Sequence, residues 1–262
     1  MKQRRTGLWR TLTVVFVLLT AFTVAGSGVA GTYSALINST LGIETSRIVK
    51  ANGAEKEDTQ YFKSAYNSLE EQYQAKAALI RQIGREGTIL LKNENNALPM
   101  QNGTVLVLGG GSFMQALAHG GGSMNAADLA NATTVEQALT FDGLNVITEG
   151  AQADAALVVI GRSAGEGADM PEGGLALTAE ELSLIAHAKA AAGKVIVLLS
   201  GDFYPEMASL QADPEISAIL HLGNAGYRGA YGLADVITGK ASPSGRTVET
   251  VAVDSHPSAA MQ

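Results

Sequence analysis

No cysteine occurs in the 262 residues, so neither a disulfide framework nor a thiolate metal site is available. Histidine is nearly as scarce. His119, His187, His221 and His256 are scattered without an HExxH pair, which argues against a zinc site. Aromatic residues reach only 5%, whereas glycine is plentiful and the hydrophobic content is 46%. That balance suits a close-packed α/β domain and not a disordered chain. The length allows one sizeable domain with appendages. Positive charge is short as well, apart from a cluster at the start. Removing Lys2, Arg4, Arg5 and Arg10 from the 18 basic residues leaves 14 Lys+Arg against 25 Asp+Glu, a net charge of −11. An acidic surface of this kind argues against nucleic acid as a partner.

The basic cluster precedes an uncharged stretch from Thr11 to Gly31. Its 21 residues are long enough to cross a bilayer, and the cluster should stay cytoplasmic with the remainder outside. A cleaved signal peptide is the competing reading, with Val24-Ala25-Gly26 or Val29-Ala30-Gly31 as loose cleavage sites. Neither is a good A-x-A match, which favours an uncleaved anchor and a single-pass protein with an extracellular globular part. Thr32 to Ala54 is a mixed polar segment without a strong period and reads as a stalk. From Glu55 to Arg85, Phe62, Tyr66, Leu69, Tyr73, Ala77, Ile80 and Ile83 recur at threes and fours. The spacing predicts an amphipathic helix that starts near Asp58-Thr59 and stops at Gly84 or Gly87.

Beyond this helix, strands and helices alternate. Val105–Leu108, Asn145–Ile147, Ala155–Ile160, Val195–Leu199 and Ile216–Leu220 read as strands. Helices are expected over Thr134–Leu139, over Thr178–Ala192 with Thr178 as its cap, and over Tyr227–Thr238. Continuous apolar strands separated by helices predict a three-layer α/β/α sandwich around a mostly parallel sheet. The expected organisation is a basic flank and anchor over 1–31, then a stalk and amphipathic helix over 32–84. An α/β domain over 85–250 and a tail over 251–262 complete it.

Three motifs offer chemistry. Gly109-Gly110-Gly111 after the strand Val105–Leu108 invites a dinucleotide reading, but Met114 occupies the last glycine position of G-x-G-x-x-G. No acidic residue follows at the distance that ribose binding needs. Gly161-Arg162-Ser163-Ala164-Gly165 formally matches a nucleophile elbow. An elbow needs a helix directly after the serine, and Glu166 to Gly174 is too rich in glycine to start one. The same loop follows a buried parallel strand, where open α/β sheets place their chemistry. There Glu166, flanked by Gly165 and Gly167, could serve as the acid of a glycoside-cleaving pair, or it could be an ordinary solvated loop glutamate.

A resemblance bears on that choice. Gly84 to Met100, read as GREGTILLKNENNALPM, resembles the E-G-x-V-L-L-K-N-x-x-x-x-L-P-L signature of glycoside hydrolase family three. Gly120-Gly121-Gly122-Ser123 resembles that family's G-x-G-S loop, and Gly161 to Asp169 its G-R-x-S-G-E-G-x-D-R loop. Leu177 to Ile185 is similar to its L-x-x-x-E-x-x-L-I helix, Gly226 to Gly239 to its A-D-V-L-x-G helix, and Pro243-Ser244-Gly245-Arg246 to its P-S-G-R-L close. The match runs over about residues 75–250. Ile48-Val49-Lys50 and Tyr61-Phe62-Lys63-Ser64 further resemble membrane-anchored bacterial members in which this domain precedes the catalytic barrel.

The resemblance implies the α/β-sandwich domain of a retaining β-glucosidase, active on β-linked glucosides or short oligosaccharides without a cofactor. It implies Glu166 as general acid/base, with Arg162, Ser163 and Asp169 as substrate-binding positions. The nucleophile would be an aspartate on a (β/α)8 barrel, for which this chain has no room, so a barrel partner is expected. Departures are visible: Met170 replaces the arginine after Asp169, Ala164 replaces a serine, and Thr247-Val248 replaces Leu-Pro. Two alternatives stay open: a catalytically idle, anchored carbohydrate-binding or scaffold domain, and a serine hydrolase using Ser163.

Overall fold

The structure is a computed structural model that describes residues 2–41, 64–118, 132–150, 152–164 and 173–251. The chain divides into two compact units, Met1–Lys63 and Ser64–Gln262. In the first, α1 (Lys2–Thr32) is followed by α2 (Ser34–Leu41). Gly7–Thr32 is long and apolar enough to cross a membrane, a property that a signal sequence shares. The segment read as a stalk holds a short helix near its start, where Ser34-Ala35-Leu36-Ile37-Asn38-Ser39-Thr40-Leu41 contains no glycine or proline to interrupt it.

The second unit opens with α3 (Leu69–Gly87), whose start differs from the expected one. Ser68 caps the helix by accepting from the Glu71 amide, so Tyr66 precedes the helix; Asp58, Thr59 and Phe62 lie outside the described residues. The apolar stripe is also not the packed face. Leu69, Tyr73 and Ile83 are exposed, whereas Gly84 is buried and Ala77 and Ile80 are partly so. The packed face turns because its partner, α8 (Gly229–Ile237), presents a buried carboxylate, Asp235. Arg81 reaches it through Nε at 2.7 Å and Nη2 at 2.6 Å, and Arg85 adds a third bond. Gly84 and Gly232 sit at the crossing, where a Cβ on Gly232 would lie 2.4 Å from the Arg81 carbonyl.

Six strands follow: β1 (Ile89–Asn93), β2 (Thr104–Leu108), β3 (Asn145–Ile147), β4 (Ala155–Arg162), β5 (Val195–Gly201) and β6 (Ile216–Leu222). They form one sheet in the order β1-β6-β5-β4-β2-β3. All neighbours are parallel except β1, which runs antiparallel to β6 at the edge. Every residue of β5 and β6 is buried, which is why both read as mainly apolar runs, with Ser200, Ser217 and His221 as buried polar exceptions. Their side chains alternate between two cores. Leu157, Val159, Ile196, Leu198 and Leu220 face α4 (Gly110–Ala118), α5 (Val135–Phe141) and α8. Leu106, Val158, Ile160, Val197 and Leu199 face α6 (Ala179–Ala191) and the short α7 (Ala208–Ala212). Each such leucine, isoleucine or valine contributes about 1.5–3 kcal/mol by leaving water. The result is the expected α/β/α sandwich with a mostly parallel sheet.

Capping boxes start two of these helices. Thr134 and Gln137 cap α5, and Thr178 and Glu181 cap α6. At the far end of the chain, the Gly245 amide donates to the Thr88 carbonyl at 3.0 Å, and Ser244 Oγ donates to the Glu86 carbonyl. The Pro243–Arg246 motif therefore returns beside the start of β1.

Candidate active-site edge

Chain direction makes one edge of the sheet special. The connection from β2 runs outward to β3, whereas β4, β5 and β6 proceed the other way, so the strand order reverses between β2 and β4. Ligands of open α/β sheets bind outside the carboxyl ends of the strands at such a point. Here the crevice is closed by packing. Ser112 on α4 shares its one Oγ proton between the Gly109 and Val159 carbonyls, at 2.8 and 3.0 Å, and accepts from the Gly161 amide at 2.9 Å. A Cβ on Gly161 would lie 2.1 Å from the Ser112 carbonyl, so this glycine serves close packing with α4 and not with a ligand. On the other side of α4, a Cβ on Gly110 would lie 1.8 Å from Glu136 Oε1. A carboxylate thus stands at the helix N-terminus that a nucleotide phosphate would need. The dinucleotide reading fails on these grounds.

The described start of the sequence-predicted segment, Arg162 to Ala164, lies beside the ends of β5 and β6. Arg162, the last residue of β4, is mostly buried and turned to partners inside the protein. Its Nε donates to Glu181 Oε1 at 3.0 Å, and Nη2 pairs with Glu181 Oε2. Nη1 donates to the Gly174 carbonyl and Nη2 to the Ala176 carbonyl, both at 2.9 Å. Four of the five guanidinium protons are thereby placed. One side chain grips the strand exit, the returning chain at 174–176 and the first turn of α6. Burial alone would raise the Glu181 pKa, but the Arg162 fork and the bonds from Thr178 outweigh it and hold the carboxyl below its ordinary range.

Ser163 Oγ donates to Asp202 Oδ2 at 2.8 Å, and the Ala164 amide donates to the same oxygen at 3.3 Å. Asn224 Nδ2, just beyond β6, donates to Asp202 Oδ1. Among the described residues, the Ser163 hydroxyl meets a carboxylate and no histidine, so the base of a serine nucleophile is missing from this contact. His221 sits at the end of β6 against Tyr204, with ring centroids 4.2 Å apart. Burial keeps its imidazole below the usual histidine range, partly offset by the Gly201 backbone. Glu166 and Asp169 lie outside the described residues. Among the described residues, no group of three His, Asp or Glu side chains could hold a metal ion.

Asp202 and Asn224 were not anticipated from the sequence. A signal was present, however. Ser200-Gly201-Asp202 and Leu222-Gly223-Asn224 each place a glycine and a polar residue where an apolar strand ends.

A six-stranded α/β sandwich with a glycine-rich segment leaving the carboxyl end of a central strand defines the class. Residues 88–260 match the glycosyl hydrolase family 3 C-terminal domain, and the chain belongs to that family. It is 30% identical over 195 residues to the exo-1,4-beta-xylosidase of Aspergillus awamori, a match that covers 64% of this chain and 24% of the relative. It is 27% identical over 211 residues to the probable beta-glucosidase L of Aspergillus terreus, covering 67% and 29%. The chain thus spans about a quarter of the length of these curated relatives. Among solved structures, a beta-glucosidase from Paenibacillus barengoltzii superposes with a TM-score of 0.60 at 24% identity, over 70% of this chain and 25% of that one. Beta-glucosidase 3B from Thermotoga neapolitana gives 0.59 at 24% identity, over 73% and 32%.

Proposed function

We propose that this chain is the acid/base-bearing sandwich domain of a membrane-anchored, cell-surface retaining β-glucosidase. Glu166 is the general acid that protonates the leaving oxygen, then the base that activates water. The nucleophile comes from a barrel outside this chain. Substrates are β-linked glucosides or short oligosaccharides, and α1 anchors the protein with its globular part outside the cell. The observation that carries this reading is the family match over residues 88–260, together with the GRSAGEGAD segment leaving a central strand at its carboxyl end.

A retaining mechanism requires the two carboxyl groups about 5–5.5 Å apart. The Glu166 segment must therefore face a docked barrel. Arg162 shapes this reading. Four of its five guanidinium protons go to Glu181 and two carbonyls, so in this reading it frames the segment in place of binding sugar. That leaves Ser163 and Asp169 as the substrate-side positions.

The test is an assay of the chain on an aryl β-glucoside, alone and joined to a family barrel. The expected result is no turnover alone and turnover once joined. Activity from the chain alone would refute the missing-nucleophile reading and return attention to Ser163. A folded, joined protein without turnover would favour an idle carbohydrate-binding domain.

A further inference from the structure

Aromatic side chains are scarce in this chain, yet they gather at one place. Of the eight aromatic residues described from Ser64 onward, four line a single recess: Tyr73, Phe141, Tyr227 and Tyr231. The recess lies between α3, the end of α5 and the start of α8, and holds about 690 Å³. That is the size of a small-molecule site. It is not a piece of core, because Phe141 is 64% and Tyr73 54% exposed. One exposed ring is ordinary, but several sharing a concave surface mark a place where something binds.

The rings alternate with guanidinium groups. Phe141 and Tyr231 meet edge to face, with centroids 5.1 Å apart. The Arg81 guanidinium lies 5.5 Å from the first ring and 5.7 Å from the second. Arg228 lies 5.9 Å from Tyr231 and 5.8 Å from Tyr227. The two arginines are not equivalent. Arg81 is held by Asp235 and Asp142. Arg228 makes one long bond, from Nη1 to Thr133 Oγ1 at 3.3 Å, and its Nε has no partner among the described residues. It therefore keeps donors that Arg162 and Arg81 have spent. Glu70 and Gln74, bonded to each other at 2.7 Å, add an acceptor and an amide to the lining.

This lining selects an amphipathic, uncharged occupant. A cation would meet Arg228, and also Lys76, whose Nζ stands 4.9 Å from the Tyr227 ring centre. A purely apolar molecule would strip water from Arg228 and Glu70 without replacing its hydrogen bonds. A pyranose satisfies both halves: its C–H face lies on aromatic rings, and its equatorial hydroxyls meet guanidinium, carboxylate and amide groups. The recess also stands apart from the candidate edge. It belongs to the α5 and α8 layer, whereas Arg162 is clasped to α6 in the opposite layer.

We propose that this recess is a second, non-catalytic carbohydrate site that takes a pyranose unit of a β-linked oligosaccharide. The choice of a β-linked sugar rests on the glycosidase reading of the chain.

The test is calorimetric titration of cellotetraose into the full chain, held in micelles of a detergent without a sugar head group. Saturable binding is expected, weakened at least fivefold by Phe141→Ala and by Arg228→Gln and unchanged by Ser163→Ala. Phe141 and Tyr73 are exposed, so Tyr73→Ala serves as a second ring deletion should Phe141→Ala lower the melting temperature. An absence of saturable binding would overturn the proposal. So would binding that ignores the ring deletions and Arg228→Gln, or binding that Ser163→Ala abolishes, since the sugar would then sit at the β4 edge. Turnover by the chain joined to a barrel is read separately. An empty recess beside working catalysis refutes this inference alone, and missing turnover beside a filled recess refutes only the glycosidase reading.

Discussion

Replacing Asp235 by alanine should destabilise the sandwich unit by about 2–3 kcal/mol. The Asp235 side chain is 1% exposed, and both of its oxygens are taken by Arg81 and Arg85. Removing one partner of a fully buried ion pair costs about 3–5 kcal/mol, mostly from the charge left behind. Two features reduce that here. The Arg81 and Arg85 side chains are 26% and 42% exposed, so both guanidiniums can regain water. Arg81 also keeps Asp142, 3.5 Å from Nη2, which itself retains Lys240 and Thr238. For a unit of this size each kcal/mol corresponds to about 2–4 °C in melting temperature, so the midpoint should fall by about 4–12 °C. Thermal unfolding of the full chain in detergent, followed by circular dichroism at 222 nm, measures it. A shift of less than about 1 °C would refute the reasoning, since α3 would then be held by its apolar contacts alone.

Other consequences follow from the same contacts. The carboxyls of Asp235, Asp213 and Glu181 are each held below their ordinary range, because their cationic partners and hydrogen bonds outweigh the upward push of burial. A depressed folded-state pKa contributes stability above the unfolded value, so stability should stay level down to about pH 5 and fall below about pH 4. Denaturant midpoints measured from pH 7 to pH 3 check this, and a rise on acidification would contradict it. Gly201→Ala should cost at least about 2 kcal/mol, from its positive φ and the collision with Arg162, and would read as a lowered denaturant midpoint. Protease added to intact cells should remove the part of the chain beyond α1 while a membrane-bound stub remains; a protected globular part would refute the extracellular placement.

The sheet interior was readable from the sequence because β4, β5 and β6 are buried on both faces over most of their length and so are mainly apolar, Ser200, Ser217 and His221 being the buried exceptions. Helices α5 and α6 were readable through Thr134 and Thr178, whose capping is a local property. The edge strand β1 was harder. Ile-Leu-Leu-Lys-Asn is short and partly exposed, and its antiparallel partner β6 lies far along the chain. Helix α4 begins with Gly110-Gly111, which by propensity reads as loop; Phe113 and Ala116 packing into the core overrides that preference. The start of α3 was misplaced because the apolar period runs on past the point where Ser68 stops the helix. At the site, the GRSAGEGAD segment was visible as a motif. The meaning of Arg162 was not, because a guanidinium that binds sugar and one that clasps its own loop have the same sequence. Asp202 and Asn224 escaped for a related reason: Asn224 meets Asp202, and Asp202 meets Ser163, only after three separate strands align.

The central claim is that Glu166 supplies a proton to the leaving group, and leaving-group dependence tests it most directly. In the chain joined to a family barrel, Glu166→Gln should sharply lower turnover of an alkyl β-glucoside, by about 10²–10⁴-fold. Cleavage of a dinitrophenyl β-glucoside, whose leaving group needs no protonation, should lose far less in its glycosylation step. Equal losses on both substrates, or none on the alkyl glucoside, would contradict the account.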